Sequence, residues 1–403
     1  MKRYVLTVVV VFPLTAVVYA DSLNCREIGY YDTPGRAVGV AVSGNYAYVA
    51  DGYSGLRVIS ILNPTSPQEV GYYDTPGYAC GIAIAGNYAY VADDFFGLQV
   101  ILVSDPTNPH RVGSYDTPGY ACGVAVADSY AYVADYEDGL RVILVSDPTN
   151  PQEVGYYDTP GGAFDVAVAD DYAYVADFEG GLRVVLVSDP RNPQEVGYYY
   201  TPGDALGVVV ADDYAYVADG YYGLRIALVS DPTNPQEIGY CDTPGVAWGV
   251  AASGNYAYVA DGEAGGLRVI LVSDPTHPVQ VGYYNTPGRA LDLTASGDYA
   301  YVADGDSGLR VIEFYGVGVE ERFQRTANGS PLNATIVRNV LRWEKTGDRR
   351  PMTDDGSEAF LVDVTGRKVL ELKPGENDVR HLSPGVYFIR SGSGIDRRVV
   401  IAR

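Results

Sequence analysis

The tetrapeptide Tyr-Val-Ala-Asp occurs seven times, ending at Asp51, Asp93, Asp135, Asp177, Asp219, Asp261 and Asp304, with intervals of 42 residues five times and then 43. Thr-Pro-Gly keeps the same spacing, starting at Thr33, Thr75, Thr117, Thr159, Thr201, Thr243 and Thr286. A fixed period of this length, rich in β-formers, restricts the chain to propeller blades or another repeat array. One unit shows four strands in each period. Residues 81–86 (GIAIAG) are a short apolar run, and Gly86-Asn87 is the dipeptide of a tight hairpin. Residues 88–92 (YAYVA) alternate large with small side chains, and a turn ending at Gly97 follows. Residues 98–104 (LQVILVS) give a third strand, DPTNP breaks it at 105–109, and residues 111–116 (RVGSYD) give the fourth.

Both faces of such a blade are covered by neighbours, so the tyrosines of YAYVA are expected to pack on the Ala and Val face of an adjacent blade. Their hydroxyls then need partners at the blade edge. Most of the 37 tyrosines have packing as their first explanation. The ends of the array predict a closed ring. EIGYYDTPG at 27–35 matches EVGYYDTPG at 69–77, a fourth strand with no blade before it. The seventh unit stops after GLRVIEFY and lacks a fourth strand of its own. The N-terminal strand is expected to supply it and so remove two exposed edges. The predicted fold is all-β: a seven-bladed β-propeller over residues 26–315 with four-stranded blades.

Residues 1–20 read as a signal peptide. Lys2 and Arg3 precede an apolar run from Val5 to Val18, and Val18-Tyr19-Ala20 fits a cleavage site. No later stretch approaches the length of a membrane span. The expected product is secreted, extracellular or on the outer-membrane surface, with no integral membrane span. From Ser22 to Tyr315 there are 11 arginines, no lysine and 38 acids, a net charge of −27. Such a body repels nucleic acid, which is excluded as a partner. From Gly316 onward the net charge is +3, which marks off a second unit. The four cysteines (Cys25, Cys80, Cys122 and Cys241) are too few to staple this length and are expected as buried free thiols. Cys80 and Cys122 hold equivalent places in successive blades, a separation expected to exceed disulfide reach.

The phrase GLRVILVSDPTNPQEVGYYDTPG, with AYVAD before it, resembles the LVIVD-repeat proteins of bacteria and archaea. The resemblance implies a β-propeller on an exported or surface protein and brings no catalytic residues with it. The acidic residue usual within the family's central strand is replaced by Leu102 or Val103 and their equivalents. Further on, LVDVTGRKVLEL at 361–372, PGENDVRHLSPGVYFIR at 374–390 and the final RRVVIAR resemble the C-terminal sorting domain of the type IX secretion system. Read from the residues alone, they make a small antiparallel β-sandwich over 332–403. Residues 316–331 are the linker. The likeness implies contact with secretion and sorting machinery.

Little in the sequence supports catalysis. His110 and His277 lie in Asp-Pro loops and His381 lies in the C-terminal unit, and no nucleophile elbow, zinc-protease motif or phosphate loop occurs. The chain is therefore expected not to be an enzyme, with a carboxylate-based glycan hydrolase as the alternative. The repeated YVAD aspartate has two readings. One is a calcium ligand, the other an Asx-type acceptor for amides of its own turn. Each loop offers only one or two oxygens, so no cofactor or metal is expected.

Differences between repeats mark the candidate site. Turns between second and third strands carry Tyr53, Phe95, Phe96, Tyr136, Phe178, Tyr221 and Tyr222. Connections into the first strands, on the same rim, carry Arg36, Tyr78, Tyr120, Asp204, Val246 and Arg289. Aromatics exposed there would form a recognition surface for a protein or glycan partner at the cell surface. Folding down over neighbouring loops is the alternative. Asp165 and Asp292 replace a glycine of the innermost strand and are expected to face the central channel, solvated by water. The expected role is binding or scaffolding through the rim, and a structural envelope component without a discrete ligand is the other reading.

Overall fold

The computed structural model describes residues 22–316 and, further on, the strands Val340–Trp343, Ala359–Asp363, Lys368–Leu372, Gly375–Asp378, Gly385–Ser391 and Gly394–Ile401. The expected signal peptide and the linker beyond Gly316 lie outside the described residues. The first blade consists of Gly39–Ser43, Tyr46–Ala50, Leu56–Ser60 and Gln68–Tyr73, antiparallel and in sequence order from the channel outward. Five more blades repeat this order. The seventh contains Asp292–Ser296, Tyr299–Ala303 and Leu309–Phe314, and Cys25–Tyr31 is its outermost strand. Register runs from Cys25 opposite Phe314 to Tyr31 opposite Leu309, so the predicted closure is present. Ser22–Leu23 adds a short fifth strand to blade six, beside Tyr283 and Tyr284. The chain thus fastens two blades in succession.

The core lies between blades. Tyr48, Leu56 and Val58 of blade one pack with Ala89, Val91 and Ile101 of blade two, large against small as the alternation requires. At roughly 1.5–3 kcal/mol for each fully buried large aliphatic side chain, such an interface outweighs any surface ion pair on the ring. A bulge recurs in every outer strand. In blade one Gly71 faces Val58 and Glu69 faces Ile59, which leaves Val70 unpaired and packed on the core. Gly71 itself is required by a close approach. A Cβ there would sit 2.2 Å from the Pro106 carbonyl of the next blade's loop.

Blade six holds the one 43-residue period. Its extra residue is absorbed in a short helical turn, Gly262–Gly265, on the rim. In the C-terminal segment Lys368–Leu372, Ala359–Asp363, Gly385–Ser391 and Gly394–Ile401 form an antiparallel sheet in that order. Val340–Trp343 pairs with Gly375–Asp378. The sandwich packing expected for residues 332–403 rests on residues outside those described.

Candidate functional site

The rim is built on a clasp that recurs in each blade. Asp135 is fully buried, and its carboxylate accepts the Thr117 hydroxyl at 2.5 Å and the Gly119 N–H at 2.8 Å. Both donors belong to the Thr-Pro-Gly loop that enters the same blade. The glycine bond is made in all seven blades. These aspartates therefore do not cap their own turns, as the Asx reading had it. The burial of that turn against the incoming connection gives them partners 16 to 18 residues upstream. Arg141 Nε stands 3.8 Å from the Asp135 carboxylate, and its guanidinium lies 4.7 Å from the Tyr156 ring centroid. Blade two departs from the pattern, because Gln99 takes the arginine's place and donates to the Phe96 carbonyl at 2.6 Å.

Burial raises these acids. Asp93, Asp135, Asp219 and Asp304 are pushed up to about 6, with their hydrogen bonds opposing the shift only in part. Burial likewise pushes Asp165 to about 6 and Asp292 to about 7. An acid with a raised folded pKa binds protons more tightly in the folded than in the unfolded state. Its stabilising contribution is complete below the unfolded value, ~3.9, and is lost as pH rises through the folded value. The propeller is therefore expected to gain stability as pH falls from about 7 to about 4, opposite to ordinary acid denaturation. The exposed loop aspartates Asp105, Asp147 and Asp274 shift downward, and their effect falls below this window. Calorimetry should give a melting temperature roughly 5 °C higher at pH 5 than at pH 7.5. A lower value at pH 5 would refute the sign.

The three positions after each clasp aspartate point in three directions. The first forms a β-bridge with the alanine of the next blade's connection, as in Gly52 with Ala79 and Tyr136 with Ala163. It takes a positive φ throughout, 55° to 62° where the residue is Gly220, Gly52, Gly305 or Gly262. Blades two, three and four place Asp94 (52°), Tyr136 (46°) and Phe178 (46°) in the same conformation. For a bulky L residue this costs about 1–2 kcal/mol. All three side chains line a single cavity of about 650 Å³ at the channel mouth. The ring of Tyr136 covers Gly162, at the position where Tyr78 instead leans toward Gly52 in the gap between blades one and two.

The second position faces solvent. Tyr53 and Tyr221 are 83% and 80% exposed, and Phe95 is 61% exposed. Tyr53 meets Tyr78 edge-on at 4.9 Å and Phe95 lies 4.3 Å from Tyr120. The third position turns back. Phe96 and Tyr222 lean toward Gly77 and Gly203 of the Thr-Pro-Gly loops and keep 47% and 46% of their surface exposed, so they cover those loops and remain on the rim surface. Tyr136, Phe178, Tyr221 and Arg289 line the outer cavity, and Arg36 and Arg289 line a narrower one of about 350 Å³ beneath it. The two cavities share Cys122, Phe164, Leu206, Trp248 and Arg289, and together form one funnel.

Sequence reasoning missed Phe164 and Trp248. They occupy a position two residues past the first variable site of the connection, held elsewhere by Val38, Cys80, Cys122, Leu206 and Leu291. An aromatic chain results. Phe95, Tyr120, Tyr136 and Phe164 lie at successive centroid spacings of 4.3, 6.2 and 6.3 Å. Phe164 then stacks 6.4 Å from Phe178 and reaches Trp248 at 6.3 Å, and the Arg289 guanidinium sits 4.4 Å over Trp248. The cysteines Cys80 and Cys122 are free and half-buried in the funnel wall, whereas Cys25 is fully buried. Asp165 and Asp292 line the channel, and their carboxylates also accept backbone N–H groups. Asp292 accepts the Val40 N–H at 2.9 Å, and Asp165 accepts those of Val208 at 3.0 Å and Val166 at 2.8 Å. Adjacent inner strands approach so closely that these carboxylates fasten one blade to the next. Among the described residues no three His, Cys, Asp or Glu side chains converge as a metal-ligand set, and no helix is long and apolar enough to cross a membrane.

The LVIVD repeat model matches seven times, at residues 34–75, 76–117, 118–159, 160–201, 202–243, 244–286 and 287–313. No curated protein matches this chain. Among solved structures it is similar to U3-55K, with a TM-score of 0.58 at 12% identity over 72% of this chain and 98% of that one. It is also similar to the computationally designed Ika8 protein, with a TM-score of 0.54 at 10% identity over 71% and 99%. BamB from Moraxella catarrhalis aligns with a TM-score of 0.47 at 15% identity over 69% and 82%. At these identities the likeness concerns the fold alone.

Proposed function

The chain belongs to the LVIVD-repeat family, and on that premise we propose that it is a binding protein which takes up a polypeptide partner in the rim funnel. One observation carries the reading. Three consecutive blades hold Asp94, Tyr136 and Phe178 in a backbone conformation that four other blades leave to glycine, and all three side chains enter the same cavity. Strain kept at a shared cavity points to a use for that cavity. The aromatic chain beside it provides the rigid, amphipathic contact area typical of recognition hot spots. A glycan is the second reading, favoured by the half-exposed rings with acids nearby. For a carboxylate-based hydrolysis the two acids of the inner cavity are Asp165 and Asp292, and their bonds to backbone N–H groups favour the fastening role instead. Export through the N-terminal segment, and delivery to the surface by sorting machinery, belong to the same proposal and are supported by the two sequence resemblances.

The test separates use from stability. Tyr136→Gly and Phe178→Gly relieve the positive φ at the cost of the ring contacts and are expected to change the unfolding free energy by less than about 1 kcal/mol each. Both should weaken binding at least about tenfold, the scale of a lost hot-spot ring. Peptide and glycan arrays probed with parent and variant proteins give the readout. Unchanged binding by the variants would sink the funnel as the site, and saturable glycan binding alone would promote the second reading.

A further inference from the structure

We propose that the funnel reads a free carboxylate, the C-terminal carboxyl group of a polypeptide. The last apolar side chain of that polypeptide enters the channel while its carboxylate meets Arg36 and Arg289. The inference deepens the binding reading above and rests on it.

The cations of the propeller are nearly all committed. Arg57, Arg141, Arg183, Arg225, Arg268 and Arg310 are buried, with Nε 3.3 to 3.8 Å from the clasp aspartates. Arg26 pairs with Glu313 at 2.6 Å, Arg111 donates to Gln99 at 3.2 Å, and Arg191 lies in an exposed Asp-Pro loop. No ion pair among the described residues uses Arg36 or Arg289, the two that line the channel; Arg36 hydrogen-bonds the Tyr78 side chain, a neutral partner, and Arg289 stacks on Trp248. The two arginines are neighbours on the ring. Gly305 is bonded in both directions to Ala37 and lies against Arg289, so the connections carrying the two arginines flank one residue. Both line the inner cavity. Trp248 stacks under the Arg289 guanidinium at 4.4 Å, which fixes its plane and leaves its edge donors for a ligand. A planar fork presented this way suits a carboxylate.

The wall beneath the arginines decides what the carboxylate is attached to. Val38, Ile82, Val124, Leu206 and Leu291, with the two thiols, make it mainly apolar. Asp165 and Asp292 already hold backbone N–H groups. Sugar hydroxyls placed there would lose water without gaining partners, while an apolar side chain gains by burial. A cavity of about 350 Å³ accommodates one terminal residue. The surrounding charge of −27 also repels a polyanion, but tolerates a single carboxylate at the end of a neutral or basic chain.

The experiment uses the full-length protein and fluorescein-labelled Gly-Ser pentapeptides ending in each of the twenty amino acids, each made as free acid and as C-terminal amide. Fluorescence polarisation is expected to show saturable binding of free acids with apolar last residues, and binding of their amides about tenfold weaker or more. Arg289→Gln and Arg36→Gln should each weaken the acids about tenfold and leave the amides unchanged, with Arg289→Lys intermediate. Polygalacturonate fragments should not compete. Equal binding of acid and amide overturns the carboxylate inference, and if Tyr136→Gly still abolishes that binding the broader reading survives. Saturable binding of the acidic oligosaccharide in preference to every peptide overturns the polypeptide assignment. Absence of binding by all free acids, with the protein melting cooperatively, overturns the proposal outright.

Discussion

A chain that begins at Asp32, without the strand Cys25–Tyr31, is expected to lose its cooperative unfolding transition and to aggregate at concentrations where the parent stays in solution. That strand pairs with Leu309–Phe314 through six registered residues and closes the ring between residues up to 289 positions apart. Its removal uncovers Leu309, Val311 and Ile312, all fully buried in the closed ring, and takes away the buried Cys25. At ~1.5–3 kcal/mol for each large aliphatic side chain, the loss is on the order of 5 kcal/mol. The whole stability of a domain is only about 5–15 kcal/mol. Two unpaired sheet edges appear as well, the usual route to association. A synthetic peptide of residues 22–31 should restore part of the transition in a concentration-dependent way. A truncated protein that melts sharply near the parent temperature would show that the ring is held without this strand.

Asp135→Ala is expected to lower the unfolding free energy by about 3 kcal/mol, because two buried donors lose their acceptor at roughly 1–3 kcal/mol each. Asp135→Asn keeps an acceptor for one of them and removes the buried charge. Its cost at pH 7 should stay under about 1 kcal/mol, and its share of the acid-side stabilisation should vanish. Blade two provides the comparison. Asp93 has Gln99 where other blades carry arginine and feels only the more distant Arg111, so Asp93→Asn leaves no buried guanidinium beside it short of a carboxylate and should cost less than the same change at Asp135. Denaturant midpoints for the three variants decide the matter. If Asn and Ala prove equally damaging at position 135, charge rather than hydrogen bonding holds the clasp.

The fold was legible because periodicity is a property of the chain itself. The 42-residue interval, the orphan strand sequence at 27–35 and the missing strand after Tyr315 specify blade number and closure without any contact being known. The rim was legible in part. Tyr53, Phe95 and Tyr221 are as exposed as turn tips should be. Phe96 and Tyr222 differ from them by one position, and only the direction of the turn sends their rings back over the Thr-Pro-Gly loop. The clasp was misread because its partners are donors in another loop, beyond the reach of local turn chemistry. Two signals were present in the sequence and went unused. Asp94, Tyr136 and Phe178 stand where Gly52, Gly220, Gly262 and Gly305 stand in other repeats. Phe164 and Trp248 stand in a column otherwise filled by smaller side chains.

Blade six shows how such a ring can diversify. Its additional residue sits wholly within Gly262–Gly265, while Asp261 still accepts from Gly245 and Gly262 still bridges to Ala290. The anchors on either side are backbone and carboxylate contacts indifferent to what lies between them. Each blade therefore carries a segment whose length and composition can drift without altering the neighbours, much as interchangeable tips fit one handle. A lineage built on this frame can change its ligand by local insertion in a single repeat. Selection on the seven clasps continues undisturbed.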